Sequence, residues 1–494
     1  MFITAALVAT LSGLTGPTST VGPNIPTGGR VTSSSAISAL LAGARVPSFS
    51  RQTKLACTAC HYGFPQLTPF GRMFKLNGYT MTGLPAITAQ KDSASRLQLS
   101  LPPIGPLSVM AIASVTSLAT ALPNAQATTT QFPQQLSLFA AGAISDKMGI
   151  FSQFTYEDQT AKFSIDNVDI RFANHATMGD RDVLYGLTLH NNPTVQDVWN
   201  TTPAWGYPFN SSGVAPTPAA AALIEGGLGQ AVVGLGAYSL ISNTLYAEVT
   251  GYVSAPQGAT LPLDSAARNT PRSISPYWRV GLQHQFESTY LMVGTFGLQS
   301  SLYATGVTGL TNKFTDIGAD AQIEHKLGAG TSMLIGRASY IHEQQTLTAA
   351  FAETPQASQN IKNSLNTYKV NLSYLPSLTH TITVGFFGSS GTSDDVLYTA
   401  GAVSGSSTSS PASQGETVEI STTPWLNVRL GAQYVMYQKF NGASRNYDIP
   451  IGGRSAKDNM TSCSLQPLSS KTPRPSARIR PFWSHVTKPV VGAW

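Results

Sequence analysis

From about residue 105 onward, the apolar residues of this chain recur at every second position. Tyr368, Val370, Leu372 and Tyr374 alternate with Thr367, Lys369, Asn371 and Ser373. Leu426, Val428, Leu430, Ala432, Tyr434 and Met436 alternate with Asn427, Arg429, Gly431 and Gln433. Ile317, Ala319, Ala321 and Ile323 alternate with Asp316, Gly318, Asp320, Gln322 and Glu324. A period of two marks strands with one oily and one wet face. The spacing predicts strands near 107–118, 135–144, 149–157, 164–173, 182–190, 231–241, 244–254, 276–286, 289–300, 315–325, 331–343, 366–374, 379–388, 416–423 and 426–438. A soluble sandwich also alternates, so the links have to decide. Short links such as Ser145-Asp146-Lys147, Glu287-Ser288 and Pro376-Ser377 are interleaved with long ones over 191–230, 255–275, 301–314, 344–365 and 389–415. Outer-membrane barrels keep this rhythm, with the short turns periplasmic. A sandwich has no reason to.

Composition agrees. Charged residues make up 11% of the chain, against a usual quarter, and mean hydropathy is near zero. Past the N-terminus no apolar run approaches the ~20 residues that a transmembrane helix needs. No basic patch with interleaved aromatics points to nucleic acid. The expected fold is therefore mainly β, a 16-stranded antiparallel transmembrane β-barrel over 105–459. Its last strand is the doubtful one. Fifteen strands leave the chain outside after Met436, and an even number requires a sixteenth after Arg454 to Asn459. Residues 460–494 instead carry Pro467, Pro473, Pro475, Pro481, Pro489 and Cys463, and proline is excluded from strand interiors. They read as an anomalous basic tail. Either the reading frame shifts near Met460, or the tail is native and follows a poor last strand.

Residues 1–44 read as a targeting segment. An apolar stretch runs from Ile3 to Leu14, and Ala42-Gly43-Ala44 has the form of a cleavage site. The basic start of a signal peptide is missing, since the first positive side chain is Arg30. The competing reading is a disordered extension.

Between targeting segment and barrel lies Cys57-Thr58-Ala59-Cys60-His61. This is the C-x-x-C-H pattern that attaches a c-type haem. Two thiols on one turn add to the haem vinyl groups, and the histidine reaches the iron from the proximal side. A zinc site would need a second cysteine pair, and of three cysteines only Cys463 remains. A lone redox pair is the other bland reading. The module, about 45–100, is too short to fold without support, which one covalent haem c and a surrounding wall would supply.

The haem motif, the following Pro65-x-Leu67-x-Pro69-Phe70-Gly71-Arg72-x-Phe74-Lys75-x-x-Gly78-Tyr79, the stretch Asn191 to Trp205 and Phe440-Asn441-Gly442 together resemble the fused monohaem cytochrome–porin family of iron-oxidising bacteria. The likeness covers roughly 50–459 and fails in the tail. It implies an outer-membrane iron(II) oxidase, with Fe(II) as electron donor and a periplasmic c-type cytochrome or copper protein as acceptor.

His61 is the expected proximal ligand. A distal methionine would raise the potential, and Met81 or Met73 are the nearby candidates; a barrel histidine, His190 or His284, is a further one. Arg72 and Lys75 either pair with haem propionates or are solvated charges, and Tyr62, Phe64 and Tyr79 are expected to pack around the macrocycle. Asp169, Asp316, Asp320 and Glu324 are acidic lumen residues that would attract Fe(II). Their bland role is to balance lumen cations such as Arg171, Lys369 and Arg429. The 191–230 loop, with Trp199 and Trp205, is a candidate lid or plug. Two other functional classes stay open: a transport porin whose haem segment is a plug or redox sensor, and a soluble periplasmic cytochrome with a β-rich adhesion domain.

Overall fold

A computed structural model describes residues 47–81, 84, 88–91, 97–100, 106–157, 162–254, 269–304, 306–353, 355–425 and 427–468; the side chains of 88–91, 97–100, 157, 162 and 465–468 are excepted. The targeting segment expected at 1–44 and the tail beyond 468 lie outside these residues.

The chain begins with a short helix α1 (Ser48–Thr53) and a single helical turn α2 (Cys57–Cys60). A small hairpin follows, β1 (His61–Gly63) with β2 (Gln66–Leu67), and then helix α3 (Pro69–Leu76). Strands β3 (Thr88–Lys91) and β4 (Leu97–Ser100) pair with each other alone.

Sixteen antiparallel strands then close a barrel. They are β5 (Leu107–Leu118), β6 (Thr128–Ser145), β7 (Met148–Glu157), β8 (Lys162–Met178), β9 (Arg181–His190), β10 (Val232–Ile241), β11 (Leu245–Ser254) and β12 (Ser275–Gln285). The circuit continues with β13 (Thr289–Tyr303), β14 (Thr311–Lys326), β15 (Met333–Thr346), β16 (Lys362–Ser377), β17 (His380–Gly391), β18 (Ser413–Trp425), β19 (Val428–Lys439) and β20 (Thr461–Leu468). Helix α4 (Thr348–Ala352) sits in the link after β15. Each of the fifteen expected strands is present, most of them extended by a few residues.

The burial pattern is inverted relative to a soluble sheet. Tyr368, Val370, Leu372 and Tyr374 of β16 are exposed, while Thr367, Asn371 and Ser373 are buried. On β14, Ile317 and Ile323 face outward, and Asp316, Asp320, Gln322 and Glu324 are buried inside. An apolar exterior around a polar interior is the arrangement of an outer-membrane barrel. It overturns the reading of a soluble cytochrome with an adhesion domain. Among the described residues no helix is long and apolar enough to cross a membrane.

One expectation about the fold is corrected. The sixteenth strand exists, and it lies inside the stretch read as an anomalous tail. β20 pairs β19 from Val435↔Thr461 to Gly431↔Leu465, and pairs β5 from Leu118↔Thr461 to Ala111↔Leu468. The barrel therefore runs through 468, not 459. Pro467 is tolerated because the ladder to β19 has ended at Leu465, so that it lies opposite Ile112 of β5 alone. Cys463 is buried with Met110, Ile112 and Phe139, and accepts a hydrogen bond from Thr116 Oγ1 at 3.5 Å.

Candidate haem site in the barrel lumen

The segment 47–81 lies inside the barrel, toward the end with the short turns. Gln52 of α1 donates to the carbonyl of Ala141 at 2.9 Å and accepts from Ala143 N at 3.3 Å, close to the β6–β7 turn. Gly142 leaves room for the Gln52 amide, which a Cβ there would displace.

α2 places Cys57 and Cys60 three residues apart on one turn, hence on one face, and both are half-buried and outside any disulfide. The chain then becomes extended at His61 (φ −128, ψ 135). Two contacts strap this turn to α3. Thr68 Oγ1 donates to the carbonyl of Ala59 at 2.6 Å, and Thr68 N donates to the carbonyl of Cys60 at 2.9 Å. The same hydroxyl caps α3 by accepting from Gly71 N at 3.1 Å, with Pro69 at the first helical position. Gly71 lies so close to the carbonyl of Cys60 that any Cβ would collide with it. The Thr-Pro-x-Gly run of 68–71 is therefore the device that lays a helix against the cysteine turn.

His61 Nδ1 faces the carbonyl of Pro65 at 3.3 Å, and the ring packs on Phe64 with centroids 5.4 Å apart. A histidine that ligates a metal through Nε2 donates its other N–H to such a carbonyl, which fixes tautomer and orientation. Burial also pushes the imidazole pKa down to about 4, which keeps the ring in the neutral form that binds iron. Burial raises the Cys60 thiol to about 11, with the neighbouring Cys57 adding to it. The donor set, the shared face and the oriented imidazole fit a covalently attached haem. Cys57, Cys60 and His61 would hold it.

The plug is fastened to opposite walls. Tyr62 OH donates to Glu324 on β14 at 2.8 Å and packs on Ile335 of β15 and Leu375 of β16. Tyr79 OH donates to Asp169 on β8 at 2.6 Å, and its ring lies 6.4 Å from that of Phe151 on β7. In the strand circuit β7 lies opposite β15 and β8 opposite β16. The two expected distal ligands sit in different surroundings. Met81 follows Tyr79 and is 38% exposed. Met73 packs against the cluster of Leu76, Trp199, Tyr238 and Tyr246, beside Leu67. His190 has both ring nitrogens engaged, Nδ1 by Thr188 at 3.1 Å and Nε2 by Tyr252 OH at 2.6 Å. His284 sits on the outward parity of β12 and is exposed.

The two cations expected near haem propionates are used otherwise. Arg72 pairs with Glu324 and lies 4.2 Å from the ring centre of Tyr290. Lys75 donates to the carbonyls of Val195 and Asp197 at 2.7 and 2.8 Å. Tyr62 and Tyr79 likewise fasten the segment to the wall, leaving Phe64 as the aromatic beside the imidazole.

The loop 191–231 enters the lumen from the long-loop end and meets the plug. Asp197 accepts from the backbone N–H groups of Trp199, Thr201 and Thr202 at 3.0, 3.1 and 3.2 Å, which folds the loop into a compact knot. Asn200 Oδ1 accepts from Leu67 N at 3.0 Å, and Trp199 Nε1 donates to Tyr290 OH at 2.7 Å. The plug reading of this loop fits its place. Inward side chains all round the circuit are buried, including Thr116, Thr155, Thr250, Gln322, Ser373 and Thr417. An open water-filled pore would leave such groups wet.

The carboxylates expected to attract Fe(II) are taken up by these anchors. Asp169 pairs with Arg171 at 2.8 Å, and Asp320 with Arg279 at 2.6 Å. Glu324 holds Arg72 and Tyr62. Asp316 accepts from Ile224 N at 2.8 Å and lies opposite Glu343 in the ladder. Among the described residues no three His, Cys, Asp or Glu side chains gather as a metal site. Asp169, Asp320 and Glu324 therefore take the balancing role, although most of the partners differ from those expected, whereas Asp316 sits beside Glu343 with no cation partner among the described residues. Arg171 does serve Asp169, Arg429 pairs with Glu419 at 2.6 Å, and Lys369 pairs with Glu225 at 2.9 Å.

The fold defines a 16-stranded antiparallel outer-membrane β-barrel with a filled lumen. No protein-family profile and no curated protein match the chain. Solved structures similar to it in outline include an anion-selective porin from Comamonas acidovorans, at 11% identity and TM-score 0.41, covering 73% of this chain and 98% of that one. The outer membrane channel DcaP of Acinetobacter baumannii is similar at 10% identity and TM-score 0.40, covering 74% and 97%. The trimer form of OmpT, an outer membrane protein of Vibrio cholerae, is similar at 9% identity and TM-score 0.39, covering 74% and 98%.

Proposed function

We propose that this chain is an electron entry port of the outer membrane. It takes one electron from extracellular Fe(II), which becomes Fe(III), and passes it through a single covalent haem c to a periplasmic c-type cytochrome or copper protein. The observation that carries this reading is the cysteine–histidine turn secured inside the lumen at the short-turn, periplasmic end. The haem supplies a one-electron Fe(III)/Fe(II) couple. The protein's own residues orient and shelter it. Cys57 and Cys60 anchor it, the carbonyl of Pro65 sets the His61 ring, and Thr68 and Gly71 brace the turn. The packed loop 191–231 excludes bulk water from above. Fe(II) is a substrate in passing, since Asp169, Asp320 and Glu324 are already paired with arginines.

Two measurements test this. Protein matured in cells with a haem-attachment system should keep a haem stain through denaturing electrophoresis, and Cys57→Ala/Cys60→Ala should lose it. Intact cells given a membrane-impermeant Fe(II) complex should show haem reduction. Reduction only after the outer membrane is breached would sink the proposed route.

The barrel architecture it shares with porins favours a second reading, a transport protein whose lumenal segment is a plug. Planar-bilayer conductance separates the two. A silent channel supports the electron port, whereas steady high conductance with segment 47–81 intact supports the porin.

A further inference from the structure

The outer face of the wall changes character toward the long-loop rim. Lys313 near the start of β14 lies opposite Thr346 at the end of β15, and Thr346 lies opposite Lys362 at the start of β16. Residues paired in this way share one face of the sheet. That face is the outward one, because Ile317, Tyr340 and Tyr368 have the same parity on their strands and are exposed. On its other side Lys313 lies opposite Ser301 of β13, whose carbonyl accepts from Arg272 N at 2.8 Å. Pro271 is buried and Arg272 is exposed, so the arginine takes the outward side. Arg272, Lys313 and Lys362 thus form a row of three exposed cations along the outer rim. Among the described residues none of the three makes an ion pair. The carboxylates of Asp316 and Glu343 on the same strands are buried on the lumen side.

One step below the cations the outward row is wholly polar. Gln299, Thr315, Gln344 and Ser364 lie side by side, and Gln299 Nε2 donates to Thr315 Oγ1 at 3.3 Å. The next row brings the first large apolar residues, Trp278 and Ile317, level with His342 and Asn366. Tyr340 and Tyr368 follow below as part of an aromatic girdle, with the Tyr340 hydroxyl donating to Asn366 Oδ1 at 2.6 Å. Four residues separate Lys313 from Ile317, which is about 10 Å along the membrane normal at the usual strand tilt. An ordinary phospholipid carries its phosphate directly above its acyl chains. A layer of amides and hydroxyls between apolar wall and cations instead fits a lipid whose acidic groups stand on sugars.

We propose that Arg272, Lys313 and Lys362, with the polar row beneath them, are a docking surface for a phosphorylated glycolipid of the outer leaflet. Its acyl chains would lie on Ile317, Tyr340 and Tyr368, and its sugars against the amides and hydroxyls. Its phosphates would meet the three cations, which have no protein partner to give up. The surface rests on the barrel and its orientation, not on the haem.

The test uses the full-length purified protein in a neutral detergent. The probe is lipid A carrying its phosphates, compared with the same lipid stripped of them, and retention is read by native mass spectrometry. The unaltered chain should bind the phosphorylated lipid more tightly. Arg272→Gln, Lys313→Gln and Lys362→Gln should each weaken that binding about five-fold, and the triple variant should bind both lipids equally. Lys439→Gln, an exposed cation at the outer end of β19, should leave binding unchanged. All four side chains are exposed, so every variant should keep the heat-modifiable gel mobility of a folded barrel. Equal retention of the two lipids by the unaltered chain, or undiminished affinity in the triple variant, would overturn the surface. So would an equal loss in Lys439→Gln, or displacement of the lipid by inorganic phosphate at the same concentration.

Discussion

A methyl group at Gly71 would run into the carbonyl of Cys60. Gly71→Ala should therefore push α3 off the cysteine turn, an overpacking cost of about 1–3 kcal/mol. Haem retained per mole of protein, read by absorbance after purification, should fall, whereas Phe70→Ala at the exposed neighbouring position should leave it unchanged. Asp394, in the loop after β17, offers a pH test. Burial would raise its pKa, but hydrogen bonds from Ser358, Gln359 N, Leu397 N and Asn363 outweigh that and hold the carboxyl well below the usual range. Its contribution is therefore fully present above the unfolded value of about 3.9 and is lost as pH falls through the lower folded value. Cleavage of the outer loops by an acid-active protease should accelerate as pH drops below about 4. Asp394→Asn should be cleaved faster already at pH 6. At this scale the sequence is most legible where chemistry is local. Five consecutive residues announce the cysteine–histidine turn. His284 marks the limit, because a ligand's reach depends on which parity its strand assigns, and that is not written near the residue.

Elements differ in how plainly their patterns speak. β14 and β16 declare themselves by oily residues at every second place. β20 does not, because its outward residues include Ser462 and Ser464, and Pro467 stands near its end. It is recognised only through its partners, and its boundary position makes it indispensable. A chain ending at Asn459 should fail to close, and it should lose the heat-modifiable gel mobility of a folded barrel. α3 makes a second prediction. Arg72→Met leaves Glu324 buried without its cation, a loss of about 3–5 kcal/mol. The double variant with Glu324→Gln should recover much of that. Hydrogen exchange across 61–76 reports both, and equal exchange in the single and double variants would count against the pair as an anchor. Nothing in the sequence near Arg72 points to a partner 252 residues away, so the sequence alone offers it equally to a haem propionate and to solvent.

At the scale of the whole molecule, barrel, plug and loop act as one packed body. Removing residues 47–81 should convert a silent barrel into a conducting one, and bilayer recordings will show step currents absent from the full chain. The strand circuit adds a consequence for how the protein is made. The lumenal segment lies just upstream of the first barrel strand, and the seam that encloses it joins that strand to the last, β5 to β20. The cylinder can seal only after its final residues arrive. For a chain that carries haem on Cys57 and Cys60 as proposed, ligation before closure would let the seam form around the porphyrin. Export, ligation and closure would then follow in that order, and a pulse-chase that catches haem-free barrels already showing heat-modifiable mobility would count against it.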